Sequence, residues 1–216
     1  MVDLNEFMGR KKHFIWDWNG TLLDDVDVCV SAISQLLKEN GLKPISCAEY
    51  LDQFCFPVKD YYALLGFDFT KVSFEHVASR FIQVYQVEIL KCGLHAGAEN
   101  LLGTIKSTGK IQSILSAAHE SHLKTLVEAY RIDHHFDHVF GLSDHYAGGK
   151  IERARQLMDH VGVYASETIL IGDTDHDVEV GKSIGVEVVL LEGGHQALAR
   201  IQSQNAPILR RQRLNQ

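Results

Sequence analysis

The stretch "FIWDWNGTLLDD", residues 14–25, decides the fold of this chain. An apolar run ends at Asp17, and a Gly-Thr turn and two further acids follow it. A carboxylate at the end of a buried strand is a common place for a nucleophile, and many such enzymes carry a second aspartate two residues later. Here that position is Asn19. The stretch therefore predicts an enzyme that either lacks an acid–base group or does not need one.

The charge and the lengths of the apolar runs argue against two broad classes of protein. The chain has 216 residues, of which 45% are hydrophobic and 23% charged, and its formal net charge is -7. A general nucleic-acid binder needs a basic face to neutralise phosphates, and the basic tail "ILRRQRLNQ" (208–216) is interpreted as a solvated terminus. No apolar run has the length of a membrane span, and the first residues do not resemble a signal peptide. We therefore expect a cytoplasmic protein that binds neither nucleic acid nor membrane.

The cysteines do not indicate a metal or disulfide site. None of them forms a C-x-x-C pair, so we interpret them as small, buried apolar side chains. They are Cys29, Cys47, Cys55 and Cys92.

Apolar strands and helical stretches alternate from about residue 96 onward, and this pattern predicts a parallel sheet. Strands that are apolar on both faces and joined by helices form a parallel sheet that is covered on both sides. The predicted strands are "HFIWD" (13–17), "KIQSILS" (110–116), "HVFGL" (138–142), "TILIGD" (168–173) and "VEVVLL" (186–191). The helices between them are predicted at 118–130, 150–162 and 176–185.

Residues 25–92 carry apolar residues at helical spacing and show no strand signal. They are predicted to form a helical insertion after the first strand, and the chain returns to the sheet through "KCGLHAGAENLL" (91–102). The predicted fold class is therefore α/β. A Rossmann-like parallel sheet core, residues 12–24 and 93–205, carries an inserted all-helical cap domain, residues 25–92.

Polar residues at the carboxyl ends of the predicted strands indicate the site, because ligands of open parallel sheets bind there. They are Asp17, Ser116, the turn Gly148-Gly149-Lys150, Asp173 and Asp177. Three carboxylates, a hydroxyl and a lysine on one rim are typical of a site for a metal ion and a phosphate group.

Four short motifs resemble those of the haloacid dehalogenase-like hydrolase superfamily. "DWNGTLLD" (17–24) is similar to the first motif, usually D-x-D-G-T, and "ILS" (114–116) to the second, an apolar strand that ends in Ser or Thr. Lys150 opens a helix as in the third motif, and "LIGDTDHD" (170–177) is similar to the fourth, G-D-x-x-x-D. The helical insertion resembles the cap of the phosphoglycolate-phosphatase-like branch.

The resemblance implies a phosphohydrolase that uses Mg²⁺ and acts on a small phosphorylated molecule. Asp17 would be the nucleophile that forms an aspartyl-phosphate. With Asp173 and Asp177 it would also bind Mg²⁺, which prefers oxygen ligands. Asn19 would add its backbone carbonyl to the metal, at a position that is catalytic in the family.

The resemblance also implies a set of phosphate contacts. Ser116 would donate a hydrogen bond to a phosphoryl oxygen, and Lys150 would offset the charge of the transferring group. Gly20 and Thr21 would shape a loop whose amides face the phosphate. Ala117 would lie beside Ser116 in the same substrate site.

Two further expectations concern the residues that follow the first motif. Asp24 and Asp25 are interpreted as a helix N-cap and a hinge acid rather than as catalysts. The aromatic residues of "QFCFPVKDYYALLGFDF" (53–69) are interpreted mostly as the cap's own core, with one or two facing the site.

Asn19 departs from the family pattern. The family's second aspartate protonates the leaving oxygen and later deprotonates the attacking water. An amide does neither near pH 7, and general acid–base catalysis contributes about 10²- to 10⁴-fold. A phosphatase that tolerates the loss would account for the change. Its substrate would have a good leaving group, or His119, His176 or a cap residue would supply the proton.

A different reaction and a non-catalytic role are the alternatives to a phosphatase. Phosphonate hydrolase relatives read D-W-A-G-T and use a cap lysine to form a Schiff base, and Lys59 in "FPVKDYY" (56–62) would take that role. Alternatively, the chain is a pseudo-phosphatase that binds phosphoryl groups without efficient turnover. We favour the phosphatase, because every residue expected to contact metal and phosphate is present. The sequence makes no prediction of the oligomeric state.

Overall fold

A six-stranded parallel sheet forms the centre of the computed structural model, which describes residues 5–142 and 149–210. The strands are β1 (His13–Trp16), β2 (Ile111–His119), β3 (His138–Leu142), β4 (Thr168–Gly172), β5 (Glu187–Leu191) and β6 (Ile208–Leu209). Their order across the sheet is β3-β2-β1-β4-β5-β6, and every neighbouring pair is parallel.

Helices connect the strands and fill the segment between β1 and β2. They are α1 (Asn5–Met8), α2 (Val26–Glu39), α3 (Cys47–Gln53), α4 (Val58–Leu64), α5 (Phe74–Glu88), α6 (Ala98–Ser107), α7 (Glu120–Ala129), α8 (Lys150–Val161), α9 (Asp175–Ile184) and α10 (Leu198–Gln202). Short 3₁₀ turns lie at Ile89–Lys91, Asp133–His135 and Ala165–Glu167.

The central position of β1 explains why the opening stretch is apolar throughout. Phe14, Ile15 and Trp16 are each at most 1% exposed. Phe14 and Trp16 belong to one buried cluster and Ile15 to the other, because successive side chains of a strand point to opposite faces. Both faces are covered, so the strand shows no alternation of apolar and polar residues.

The buried cluster on the Trp16 face continues into the inserted helices. It joins Trp16 to Ile33 of α2 and Tyr62 of α4. Burying a large apolar side chain contributes about 1.5–3 kcal/mol, so this continuous cluster holds the insertion against the sheet. On the opposite face, the second cluster packs the strands against α8 and α9 through Leu157 and Val180.

The predicted fold class, a parallel sheet with an inserted helical segment, is confirmed. The insertion holds α2 to α5 and one 3₁₀ turn, and residues 25–92, all of which the structure describes, contain no strand. Ser46 and Ser73 cap α3 and α5 with side-chain hydrogen bonds, as short hydroxyl side chains commonly do at helix starts. The boundaries of the core (12–24 and 93–205) and of the cap domain (25–92) remain a prediction.

Two boundaries read from the sequence are wrong. β2 extends to His119 rather than ending at Ser116, because the strand continues beyond an irregularity and pairs again at Leu142 of β3. In the tail interpreted as solvated, Ile208 and Leu209 pair with β5 as β6, whereas residues 211–216 lie outside the described residues. A strand of two residues is too short to give a periodic signal.

The interpretation of the cysteines as buried is correct for only one of them. Cys29 is buried, Cys55 and Cys92 are half-buried, and Cys47 is exposed at the first position of α3. None of the helices in the described ranges is long and apolar enough to cross a membrane.

Candidate active site

Three carboxylates meet at the carboxyl ends of the central strands. Asp17 follows β1 and Asp173 follows β4, and these strands are parallel neighbours, so their ends lie side by side. Asp177 lies in the first turn of α9. One oxygen from each carboxylate lies within 4.8 Å of the others, and the three residues are at most 7% exposed. We call Asp17, Asp173 and Asp177 the carboxylate triad.

The ammonium group of Lys150 lies between two members of the triad. Lys150 is the first residue of α8 and is 3% exposed. Its Nζ donates to Asp17 Oδ1 at 2.5 Å and to Asp177 Oδ1 at 2.7 Å. Gly149 occupies the N-cap position of this helix, whereas Gly148 of the predicted turn lies outside the described residues.

The carboxylate triad and Lys150 together carry more negative than positive charge. Burial raises the pKa of Asp17 to about 7, the other triad carboxylates add to the rise, and Lys150 opposes it. Burial also raises the pKa of Asp173. In contrast, Lys150 outweighs burial at Asp177 and lowers the pKa of that carboxyl. One ammonium group facing three carboxylates leaves an excess of negative charge, and these hard oxygen donors are the ligands that Mg²⁺ prefers.

Asp173 is held in place by two loops that the sequence keeps far apart. Thr21 Oγ1 donates to Asp173 Oδ1 at 2.6 Å, and the backbone N–H of His195 donates to Asp173 Oδ2 at 2.7 Å. A Cβ atom at Gly194 would overlap Asp173 Oδ2, and one at Gly20 would lie 2.5 Å from the same atom. Both glycines are therefore required by the close approach of backbone to carboxylate.

Ser116 and Ala117 lie on β2, the strand next to β1. Ser116 is 1% exposed, and its Oγ accepts a hydrogen bond from the Ala118 amide at 3.0 Å. That arrangement leaves the hydroxyl hydrogen to donate. Ser116, Ala117, Asp17 and Lys150 line the same cavity.

The side chain of Asn19 belongs to a second polar group, which the sequence did not reveal. Its Nδ2 donates to Asp25 Oδ2 at 2.8 Å and to Tyr85 Oη at 2.7 Å. Tyr85 Oη donates to Asp25 Oδ2 at 2.7 Å, and the Gly20 amide donates to Asp25 Oδ1 at 2.8 Å. Asp25 occupies the N-cap position of α2 but makes no side-chain capping bond. The expectation that Asp24 is the N-cap is therefore wrong, because Asp25 holds that position and its carboxylate is taken up by these donors instead.

His195 completes this group and connects it to the inserted helices. Its Nε2 lies 3.2 Å from Asp25 Oδ1, and its Nδ1 lies 2.9 Å from Tyr50 Oη. Burial alone would lower the pKa of His195, but the attraction of Asp25 outweighs it and raises the pKa to about 9. Likewise, His195, Tyr85 and Asn19 outweigh burial at Asp25 and lower the pKa of that carboxyl to about 2. We call Asn19, Asp25, Tyr50, Tyr85 and His195 the Asp25 cluster.

A cavity of about 880 Å³ lies between the triad and the inserted helices. Asp17, Ser116 and Lys150 form its polar end. Residues between 117 and 126 and the side chains of Cys29 and Ile33 line part of the rest. A large aromatic part of the lining comes from residues 50–85: Tyr50, Phe54, Phe56, Tyr61, Tyr62, Phe74, Phe81 and Tyr85.

Tyr61, Tyr62 and Phe67 belong to the buried cluster, as expected of the cap's own core, but the expectation that only one or two aromatic residues of 53–69 face the site is wrong. Phe54, Phe56, Tyr61 and Tyr62 all line the cavity. Helical spacing separates a buried face from an exposed one, but it does not tell whether the buried face meets a neighbouring helix or a ligand site.

Lys59 and the two histidines considered as proton donors, His119 and His176, differ in how they lie relative to the cavity. Lys59 lines the cavity but is exposed, with its Nζ 5.9 Å from the centre of the Phe69 ring. His119 also lines the cavity. His176 stacks on Phe56, with ring centres 4.6 Å apart.

Sequence reasoning thus named the residues of the triad, Lys150 and Ser116, which the structure brings together. It missed the roles of Tyr50, Tyr85 and His195. The only signal for His195 was its place in "GGHQ" (193–196), directly after β5 and at the rim where ligands of such sheets bind.

Comparison with known proteins identifies the family of the chain. Residues 14–191 match the family described as "Haloacid dehalogenase-like hydrolase". A phosphoglycolate phosphatase from Rhodospirillum rubrum is 26% identical over 195 residues, which are 85% of this chain and 80% of the relative. A phosphoglycolate phosphatase from Aquifex aeolicus is 24% identical and covers 85% of this chain and 86% of the relative.

Solved structures show the same fold. A crystal structure described as a putative phosphoglycolate phosphatase from Lactobacillus delbrueckii subsp. bulgaricus gives a TM-score of 0.75 at 18% identity and covers 95% of this chain and 97% of the other. A putative haloacid dehalogenase-like hydrolase from Bacteroides fragilis gives 0.75 at 18% identity, over 93% and 95%. The family match spans most of the chain, so the resemblance drawn from the four motifs is confirmed. The chain belongs to the haloacid dehalogenase-like hydrolases.

Proposed function

We propose that the chain is a Mg²⁺-dependent phosphohydrolase that acts on a small phosphorylated metabolite through an aspartyl-phosphate on Asp17. The observation that carries the proposal is the meeting of the carboxylate triad, Lys150 and Ser116 at one end of one cavity. The relatives named phosphoglycolate phosphatase support a phosphate ester as the substrate class. The cytoplasm remains our prediction for its compartment.

The triad has the donors that Mg²⁺ would need. Asp17 and Asp173 would bind the ion directly, the backbone carbonyl of Asn19 would add a third oxygen, and Asp177 would support it directly or through water. Burial, with a smaller contribution from the neighbouring carboxylates, raises the pKa values of Asp17 and Asp173, and a divalent cation would offset the negative charge of the group. When bound, the ion would supply a positive charge beside the phosphoryl oxygens.

In the first step, a carboxylate oxygen of Asp17 bonds to phosphorus as the bond from phosphorus to the leaving oxygen breaks. The leaving oxygen departs with the electron pair. Lys150 keeps a positive charge beside the nucleophile, and the Ser116 hydroxyl donates to a phosphoryl oxygen. In the second step, a water oxygen bonds to phosphorus, the bond to Asp17 breaks, and inorganic phosphate and the free carboxylate are formed.

The position of Asn19 limits which leaving groups fit this scheme. Its Nδ2 hydrogens are donated to Asp25 and Tyr85, and an amide has no proton to give near pH 7. A leaving oxygen that is stable as an anion, as in an aryl or acyl phosphate, needs no such proton. We propose activated phosphates of this kind as better substrates than sugar phosphates or phosphoglycolate.

Neither a phosphonate hydrolase nor a pseudo-phosphatase gains support from a specific contact. Lys59 is exposed rather than enclosed, and a Schiff base forms most readily on a lysine whose amine is desolvated. A pseudo-phosphatase would have no need for a nucleophile, a lysine and a metal site in mutual contact.

The test is phosphate release from aryl, acyl, sugar and glycolate phosphates in Mg²⁺, with the native chain beside Asp17→Asn and the control Asp24→Asn. The side chain of Asp24 is 60% exposed, so its variant keeps the site intact. We expect the native chain and Asp24→Asn to hydrolyse the aryl and acyl phosphates, and Asp17→Asn to be inactive. Activity that survives in Asp17→Asn would refute the proposal. Equal rates on aryl and sugar phosphates would refute the proposed preference for substrates with a good leaving group.

A further inference from the structure

The cavity is much larger than a phosphate group and a two-carbon acid require. Its volume is about 880 Å³, and sites that enclose drug-sized molecules measure roughly 300–1,000 Å³. The polar end at Asp17, Ser116 and Lys150 accounts for the phosphoryl group. The remaining space therefore has to suit the rest of the substrate.

The part of that space formed by residues 50–85 is walled largely by aromatic rings that already pack against each other. Phe54 and Tyr61 lie edge to face with ring centres 5.3 Å apart, and Phe81 stacks on Tyr85 at 5.8 Å. Rings held by neighbouring rings form a preorganised apolar surface. A further ring bound against such a surface gains about 0.5–1.5 kcal/mol beyond its area burial.

The charges on the walls do not suit a second anionic group on the substrate. Lys59 and Lys150 are the lysines among the described residues that line the cavity, and no arginine occurs among them. Lys150 is bonded to two carboxylates, and the His195 ring lies 3.2 Å from Asp25 Oδ1. Lys59 is exposed beside Phe69. A carboxylate deep in the cavity would meet aromatic rings instead of an unpaired cation.

We propose that the substrates are aryl phosphate monoesters whose aromatic part fills this cavity. The proposal rests on the phosphohydrolase function above and names its substrate class. A phenolic oxygen leaves as the phenolate when Asp17 bonds to phosphorus, takes its proton from water afterwards, and needs no acid at Asn19. The aromatic walls and the missing acid, which are independent features, thus point to the same leaving group.

The kinetic test compares 2-naphthyl phosphate, phenyl phosphate and acetyl phosphate. The two aryl esters have similar leaving groups but differ in ring area, and acetyl phosphate is activated but has no ring. We expect kcat/KM to be about tenfold or more higher for the naphthyl than for the phenyl ester, and KM to be highest for acetyl phosphate. Equal kcat/KM values for the two aryl esters, or a KM for acetyl phosphate below those of the aryl esters, would overturn the proposal.

A pair of matched variants separates recognition from folding. Phe81 and Phe136 are both half-buried, but only Phe81 lines the cavity. We expect Phe81→Leu to lower the naphthyl-to-acetyl ratio of kcat/KM by about 2- to 10-fold, whereas Phe136→Leu leaves the ratio unchanged. An unchanged ratio in Phe81→Leu would refute the proposal.

Binding without turnover distinguishes a failure of this inference from a failure of the proposed function. Calorimetry would compare 2-naphthylmethylphosphonate with methylphosphonate in Mg²⁺. If no substrate is hydrolysed but the naphthyl compound binds tenfold or more tightly, the cavity inference stands and the phosphohydrolase fails. If Asp17-dependent hydrolysis occurs but both phosphonates bind equally, the function stands and the inference is overturned.

Discussion

The buried carboxylates of Asp25 and Asp17 lie on either side of the same loop, but they differ greatly in how well hydrogen-bond donors and positive charges balance them. Asp25 is 0% exposed, accepts hydrogen bonds from Asn19 and Tyr85, and has its pKa lowered to about 2. Asp17 is 7% exposed, shares the ammonium group of Lys150 with a second carboxylate, and has its pKa raised to about 7. The same residue type is thus stabilised as an anion at one position and destabilised at the other.

The two carboxylates therefore have different roles: Asp25 supports the fold, and Asp17 serves the chemistry. In the Asp25 cluster, donors surround the carboxylate, so its charge strengthens the contact between the sheet and the inserted helices. At the carboxylate triad, the charge is left in excess, which destabilises the chain but suits a site for a cation and a phosphoryl group. Substitutions at the two positions should therefore have opposite effects on stability.

The largest effect is expected for Asp17→Asn. Loss of the nucleophile should reduce phosphate release by at least about 10³-fold. The same substitution removes an anion that burial disfavours, so the melting temperature should rise by about 2–4 °C, the change that corresponds to about 1 kcal/mol in a domain of this size. Calorimetry on the purified variant checks the sign. A melting temperature that falls would contradict the view of Asp17 as an unsatisfied charge.

For Asp25→Asn we expect the opposite sign. The amide cannot balance the charged His195, and removing one member of a buried pair costs about 3–5 kcal/mol. The exposed neighbour is the control, since Asp24→Asn should change the free energy of unfolding by less than about 0.5 kcal/mol. Equal stability of Asp25→Asn and Asp24→Asn in denaturant titrations would show that the Asp25 cluster does not support the fold.

The substitution Asn19→Asp would restore the family pattern, but here it places a carboxylate 2.8 Å from Asp25. Two carboxylates at this distance do not both ionise without cost. We expect a loss of about 1–2 kcal/mol near pH 8 and a smaller loss near pH 5. The double variant Asn19→Asp/Asp25→Asn should recover part of the loss caused by Asp25→Asn alone. If the effects of Asn19→Asp and Asp25→Asn on the free energy of unfolding are additive in the double variant, direct repulsion between the two carboxylates is excluded.

A smaller effect is expected from pH. The folded pKa of His195, about 9, lies above its ordinary value of 6.5. Its charge therefore contributes stability that is fully present below pH 6.5 and is lost as the pH rises through about 9. The free energy of unfolding should fall over this range in the native chain and in the control His76→Gln, which changes an exposed histidine. His195→Gln should lack this part of the slope, and an unchanged slope would mean that His195 is not a charged partner of Asp25.

The sequence predicted the triad because topology alone brings its members together. Asp17 and Asp173 each follow a buried strand, and the ends of adjacent parallel strands meet whatever the side chains in between. Lys150 was predictable as the first residue of a helix at the same edge. In these cases, position along the chain determines position in space.

The Asp25 cluster was not predictable on that basis. Tyr50, Tyr85 and His195 come from two inserted helices and a distant loop, and their contacts depend on how the insertion packs on the sheet. Helical spacing predicted the helices of the insertion, but it did not predict how they pack against the sheet. For the same reason, the sequence did not show that Phe54 and Tyr61 face a cavity.

The central claim is that Asp17 carries the phosphoryl group. The most direct measurement is to mix the protein with 2-naphthyl phosphate and Mg²⁺, quench during turnover, and reduce with borohydride, which converts an aspartyl-phosphate into homoserine. Mass spectrometry of the peptide that contains residue 17 should show homoserine at that position only when substrate is present. Turnover without homoserine at residue 17, or with homoserine at another aspartate, would contradict the account.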